Sequence, residues 1–133
     1  MNPALKSIGH VETPYNSIDE CPKNIDHNGP LCQLIVDDEY KDGLLGLQAG
    51  QEILILYWFE NVDRNVIRQE SHRTGEVIGT FALRSPRRPN PIGAATLPIQ
   101  AIDNGCVSVK GLDCLNGTRL LDIKPAIMHE LSK

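Results

Sequence analysis

Apolar residues along this chain gather in short runs separated by polar, glycine- and proline-rich stretches, and the longest run, Ile53 to Phe59, has seven residues. Runs of that length bounded by turn formers predict β-strands rather than helices. Ser7 to Thr13 alternates weakly around Ile8 and Val11 and ends at Pro14 and Tyr15, which gives a first strand; Leu31 to Val36 gives a second. Gln51 to Phe59, nearly all β-branched, aromatic or leucine, is expected as a central strand, buried on both faces or set in a barrel wall. Further strands are expected over Val77 to Leu83, Ala94 to Ala101, Cys106 to Val109, Leu112 to Leu115 and Leu120 to Ile123. Pro98 argues for an edge or a bulge, and Asn116-Gly117 for a turn between the last two. About six to eight short strands with little helix predict a mainly β fold, a small barrel or sandwich.

The polar stretches divide into bland and informative ones. Asp37 to Gly43 reads as a solvated acidic face leading into a turn over Leu44 to Leu47, and Glu60 to Gly75 as a polar loop. Asn16 to Pro30 is a long loop with Cys21 and Ile25 as inward anchors, and long loops in small domains are more often functional than idle. Arg84 to Gly93 packs three arginines and three prolines into ten residues. Pro86, Pro89 and Pro91 fix φ and remove backbone donors, so the segment is a stiff, extended loop that presents Arg84, Arg87, Arg88 and Asn90. Guanidinium groups held on such a loop suit carboxylates or phosphates at little entropic cost.

Composition narrows the chemistry. A length of 133 residues, 41% hydrophobic and 23% charged, fits one folded domain over 1–133. The net charge of −4 argues against a broad polyanion-binding surface but leaves room for a local basic patch. No basic N-terminal segment precedes an apolar core and no run approaches a membrane span, so no membrane association is expected and cytoplasm is the expected compartment. Cys21, Cys32, Cys106 and Cys114 form no CxxC pair, which predicts reduced, mostly buried thiols and no metal site. There is no GxxxxGK[ST] loop and no strand-GxGxxG-helix unit, so any nucleotide-like ligand is held another way.

The segments VETPYN (Val11 to Asn16), QEILILYWF (Gln51 to Phe59), GTFALRSPRRPNPIG (Gly79 to Gly93) and VKGLDCLNGTRLLDIKP (Val109 to Pro125) resemble, in order and over residues 8–125, the TsaA-like proteins. The best-known members are tRNA methyltransferases that use S-adenosylmethionine to methylate N6 of threonylcarbamoyladenosine in the anticodon loop. The resemblance implies a β-barrel-like domain acting as a homodimer, with S-adenosylmethionine bound by loops near the subunit boundary. Carried over residue by residue, cofactor contacts fall on Pro22, Lys23 and Asn24, on Glu60 and Asn61, on Arg84, on Ala94, and on Lys110, Gly111, Leu112 and Asp113. The family usually has His at Glu60, Arg at Lys23 and Tyr at Ala126. Its full-length tRNA enzymes carry a further C-terminal region, whereas this chain stops eight residues after Pro125, which with the acidic charge weighs against tRNA as partner. A small-molecule or other base acceptor, or a non-catalytic S-adenosylmethionine-binding module, are the alternatives.

The residues themselves leave several roles open. Arg84 suits a methionine carboxylate, and Asp113 can accept hydrogen bonds from a ribose or an ammonium group. Arg87, Arg88 and Asn90 either shape their loop or meet the acceptor. Asp122 and Lys124 share one strand face, with Leu121 and Ile123 turned to the core, and either form an ion pair that holds the Arg/Pro loop or line the substrate side. His72, Glu60 and Asp113 are candidate bases, none of them singled out, so the catalytic residue is unknown.

Overall fold

The computed structural model describes residues 2–127. Nine strands are present among the described residues: β1 (Gly9–Glu12), β2 (Leu31–Val36), β3 (Glu52–Trp58), β4 (Arg68–Glu70), β5 (Val77–Gly79), β6 (Ile92–Pro98), β7 (Ala101–Asp103), β8 (Cys106–Lys110) and β9 (Thr118–Pro125). The only helical pieces among the described residues are 3-10 turns at Ile18–Glu20, Asp38–Leu44 and Thr80–Ala82, so none is long and apolar enough to cross a membrane. Seven strands form one antiparallel sheet in the order β6-β3-β9-β1-β2-β8-β7, and β4 and β5 make a separate hairpin.

The expected mainly β fold is present, but among the described residues no ladder closes the sheet into a barrel. The sheet curls instead. Its two edge strands, β6 and β7, are joined by Ile99 and Gln100 alone, whose amides donate to Gln51 O and Ser108 O at 2.9 and 2.7 Å and turn the corner. Pro98 at the end of β6 offers no N–H there, and β7 is only three residues long, so the gap is bridged by packing rather than by a ladder. The edge position inferred from Pro98 is the observed one.

Burial follows the pleat. Along β3, Ile53, Ile55 and Tyr57 are buried while Leu54, Leu56 and Trp58 are only partly covered, so this strand, interior to the sheet as expected, does not take the first of the two expected settings, burial on both faces. The inner face joins Val11, Leu34, Val36, Val107, Val109, Leu97 and Leu120 in the core. A bulge shifts the β3–β9 register between Leu56 and Tyr57, pairing Leu56 with Asp122 and Tyr57 with Leu120. Leu121 is therefore the extra residue, and Leu120 with Ile123 packs on the core where Leu121 with Ile123 was expected.

One expected strand is cut short and another is not a strand. Val77 to Leu83 is extended only to Gly79, because Thr80 turns inward and its hydroxyl donates to Val66 O at 3.1 Å and accepts from Gln69 Nε2 at 3.0 Å. This hook makes the 3-10 turn and leaves Phe81 exposed. Leu112 to Leu115 is irregular, with Leu112 and Cys114 buried: Thr13 Oγ1 donates to Cys114 O at 2.9 Å, and the Thr13 amide to Asn116 Oδ1 at 3.2 Å, in place of a ladder. The supposed polar loop Glu60 to Gly75 contains β4, missed because Arg68-Gln69-Glu70 carries no apolar alternation. Cys32 and Cys114 are buried free thiols, and Cys21 and Cys106 are partly covered.

Candidate functional site

Three sequence-distant segments converge at the Tyr57 end of β3. The first is the long loop before β2. The Asp26 amide donates to Gly111 O and the Gly111 amide to Pro30 O, both at 2.9 Å, while Cys21 Sγ lies 3.7 Å from Asp113 O. Cys21 and Asp26 thus fasten, on either side of Pro22, Lys23 and Asn24, a loop laid against Gly111 to Asp113. Gly111 has φ +85°, and a Cβ there would run into the carbonyl of Asp26, so the close approach requires glycine. Ile25 anchors the loop on the core as expected.

The second segment is β3 itself. Tyr57, 1% exposed, donates from its hydroxyl to Asp113 Oδ1 at 2.6 Å. Its ring meets Phe59 edge-on at 5.4 Å between centroids, and both rings lie over Gly93, where a Cβ would collide with them. Burial, then the charge and hydrogen bond of Asp113, push the phenol far above its ordinary range, and the positive charge of Arg84 only partly opposes this. The phenol is a fixed donor.

The third segment is the Arg/Pro loop with β6. Arg84 Nη2 donates to Ala94 O at 3.1 Å, and Ala94 pairs with Leu56 in β3. Arg84 is otherwise exposed, with guanidinium donors left for a ligand. Arg88 is different. Its Nη1 donates to Leu83 O and Ser85 O at 2.9 and 2.8 Å and its Nη2 to Thr80 O at 3.3 Å, so it shapes the loop from within. Arg64 stacks on Trp58 at 5.1 Å and donates to Pro89 O at 2.7 Å and to Asn90 Oδ1 at 3.4 Å, which makes Asn90 part of the loop's bracing. Gln69 Nε2 donates to Arg87 O at 2.9 Å; the Arg87 side chain is exposed.

Lys110 is exposed at the end of β8, and Leu112 is fully buried, leaving only its backbone for a ligand. Glu60 and Asn61 are exposed just past β3, Asn61 with φ +59°, and His72 is exposed in the β4–β5 turn; none is bonded to Tyr57, Asp113 or Arg84. Asp122 and Lys124 pair with each other at 3.1 Å, and Asp122 also accepts from the Ile123 amide, so the pair closes on itself rather than on the Arg/Pro loop. Asp122 lies opposite the outward Leu56, whereas Asp113 bonds the inward Tyr57; the two carboxylates do not form a pair. Tyr57, Arg64 and Gln69 are the members that sequence reasoning missed. The one hydroxyl inside QEILILYWF, which when buried needs a partner, was the available signal for Tyr57.

The model of the tRNA-methyltransferase O N-terminal domain matches residues 10–130. The chain belongs to the tRNA-methyltransferase O family. Among relatives of the family, a protein of Rhizobium radiobacter named a probable S-adenosyl-L-methionine-binding protein, VirR, is 38% identical over 122 residues, 92% of this chain and 70% of that one. A tRNA (adenine(37)-N6)-methyltransferase of Rattus norvegicus is 34% identical over 95% of this chain but only 31% of its own length. A crystal structure of the family's TrmO from P. aeruginosa superposes with a TM-score of 0.80 at 23% identity, over 98% of this chain and 58% of that one, which extends the likeness to the fold. The family resemblance inferred from the motifs is borne out.

Proposed function

We propose that this chain is an S-adenosylmethionine-dependent methyltransferase whose acceptor is N6 of threonylcarbamoyladenosine in a tRNA anticodon loop. Residues 8–125 form the folded unit that binds the cofactor, and a homodimer places the site near its boundary. The observation that carries the reading is the stapling of the loop bearing Pro22, Lys23 and Asn24 onto the segment bearing Asp113, beside Arg84. The donor set suits the cofactor: a guanidinium for a carboxylate, a carboxylate acceptor for ribose or ammonium donors, and backbone groups of Ala94 and Gly111 to Asp113 for the remainder. The names of the relatives agree with this assignment.

The cofactor, when bound, supplies an electrophilic methyl group on a sulfonium. The chain's own contribution is positioning. Arg84 and Asp113 hold opposite charges at one end of β3, Tyr57 keeps the Asp113 carboxylate in place, and the braced Arg/Pro loop keeps Arg84 in reach. The Arg87 side chain, exposed and without a side-chain partner among the described residues, is a cation available to a phosphate-bearing acceptor.

Titration calorimetry with S-adenosylmethionine tests the cofactor, and absence of binding overturns the reading. Transfer of a labelled methyl group to total tRNA from a strain lacking its own enzyme tests the acceptor. Binding without label in tRNA points instead to a small-molecule or other base acceptor, or to a binding module.

A further inference from the structure

We propose that Tyr57 is a positioning residue that turns Asp113 into an oriented acceptor for the hydrogen-bond donors of the bound cofactor. The proposal rests on the cofactor reading above and goes beyond it, because Tyr57 lies on the core side of the sheet and is not among the residues that the family resemblance carries over. Tyr57 cannot be a ligand contact in the ordinary sense, being 1% exposed. Its hydroxyl nonetheless reaches the half-covered Asp113 at 2.6 Å, the short distance of a charge-assisted bond.

The phenol ring is locked in turn. Phe59 stands edge-on to it, and Gly93 lies directly opposite in the β3–β6 ladder, where any Cβ would run into both rings. On the backbone side, Asp113 O receives Cys21 Sγ at 3.7 Å. The carboxylate is therefore fixed through Oδ1 by a rigid buried donor, while Oδ2 has no protein partner among the described residues. A carboxylate accepts and does not donate, so the free oxygen selects hydroxyl or ammonium donors and disfavours anions. S-Adenosylmethionine offers both kinds of donor, the ribose hydroxyls and the amino group.

The experiment is titration of wild type, Tyr57→Phe, Asp113→Asn and the double variant with three ligands: S-adenosylhomocysteine, its 2′,3′-dideoxyribose analogue and its desamino analogue. Tyr57→Phe keeps the ring against Phe59 and Gly93 and removes only the hydroxyl. It is expected to weaken S-adenosylhomocysteine roughly tenfold, the worth of one hydrogen bond to a charged group, and to leave at least one analogue unaffected. The unaffected analogue identifies the donor that Asp113 takes. In the Asp113→Asn background, Tyr57→Phe is expected to cost nothing further. Unchanged affinity in Tyr57→Phe, equal weakening of all three ligands, or additive losses in the double variant would overturn the proposal. Failure of the wild type to bind any of them would instead remove the cofactor reading itself.

Discussion

Substituting Gly111 by alanine puts the stapled loop to a quantitative test. Two costs can be separated. The first is conformational: at φ +85° an alanine Cβ is strained by about 1–2 kcal/mol. The second is particular to this site, because the new methyl group occupies the position of the Asp26 carbonyl and must push the loop away, breaking the Asp26 amide bond to Gly111 O at 2.9 Å. Losing that bond and the packing of Gly29 on Gly111 adds about 1–2 kcal/mol. The sum, about 2–4 kcal/mol, is a large part of the stability of an ordinary domain. Gly117 supplies the control, since it has a similar φ of +88° and open space around its Cβ position, so Gly117→Ala carries the first cost alone. Urea denaturation of the two variants should differ by about 1–2 kcal/mol, and only Gly111→Ala should also weaken S-adenosylmethionine, because only that change displaces Pro22 to Asn24. Equal destabilisation of both variants, with cofactor affinity intact in Gly111→Ala, would refute the close approach as the cause.

Two further predictions concern charge and burial. Arg88→Ala removes three carbonyl contacts and should cost about 1–3 kcal/mol, with faster amide exchange over Thr80 to Asn90; Arg88→Lys should recover only a small part, because one ammonium does not span the same carbonyls. Unchanged exchange in Arg88→Ala would contradict the bracing role. Burial, the largest cause, pushes the Cys114 thiol from 9.0 to about 12. The native state then keeps a proton that the unfolded chain releases, so its contribution is full below pH 9.0 and is lost as pH rises toward about 12. Urea midpoints from pH 8 to 11 should fall for wild type and fall less steeply for Cys114→Ala, and parallel slopes would exclude Cys114 as a source.

Strand existence was more legible than strand phase or closure. Leu31–Val36 has the boundaries expected from its composition, because five apolar residues around Gln33, set between Pro30 and an acidic cluster, make a short strand-length run. The bulge at Leu121 left no mark in LLDIKP, since either leucine satisfies an inward position and the choice is made by pairing with Leu56 and Tyr57. Thr80 ended a strand by a hydroxyl bond to Val66, and a short-range propensity cannot foresee such a partner. Barrel closure likewise depends on how two edges meet, and local patterns do not encode that. Within the site, the glycine- and proline-shaped loops were visible. The division of labour among three like-charged arginines was not, because Arg84 and Arg88 differ only in which carbonyls the folded loop turns toward them. Tyr57 and Asp113 stand 56 positions apart, beyond the reach of any spacing rule.

Strand β9 lies in the middle of the sheet, between β1 and β3, although it is the last strand among the described residues. During synthesis the ribosome therefore releases β1 and β3 long before the strand that joins them exists. Until Thr118 to Pro125 leaves the exit tunnel, the nascent chain holds two half-sheets with unpaired edges at their centre, the kind of exposure that invites association with other chains. The pairing of β1 with β3 through β9 therefore waits on a segment made late among the described residues.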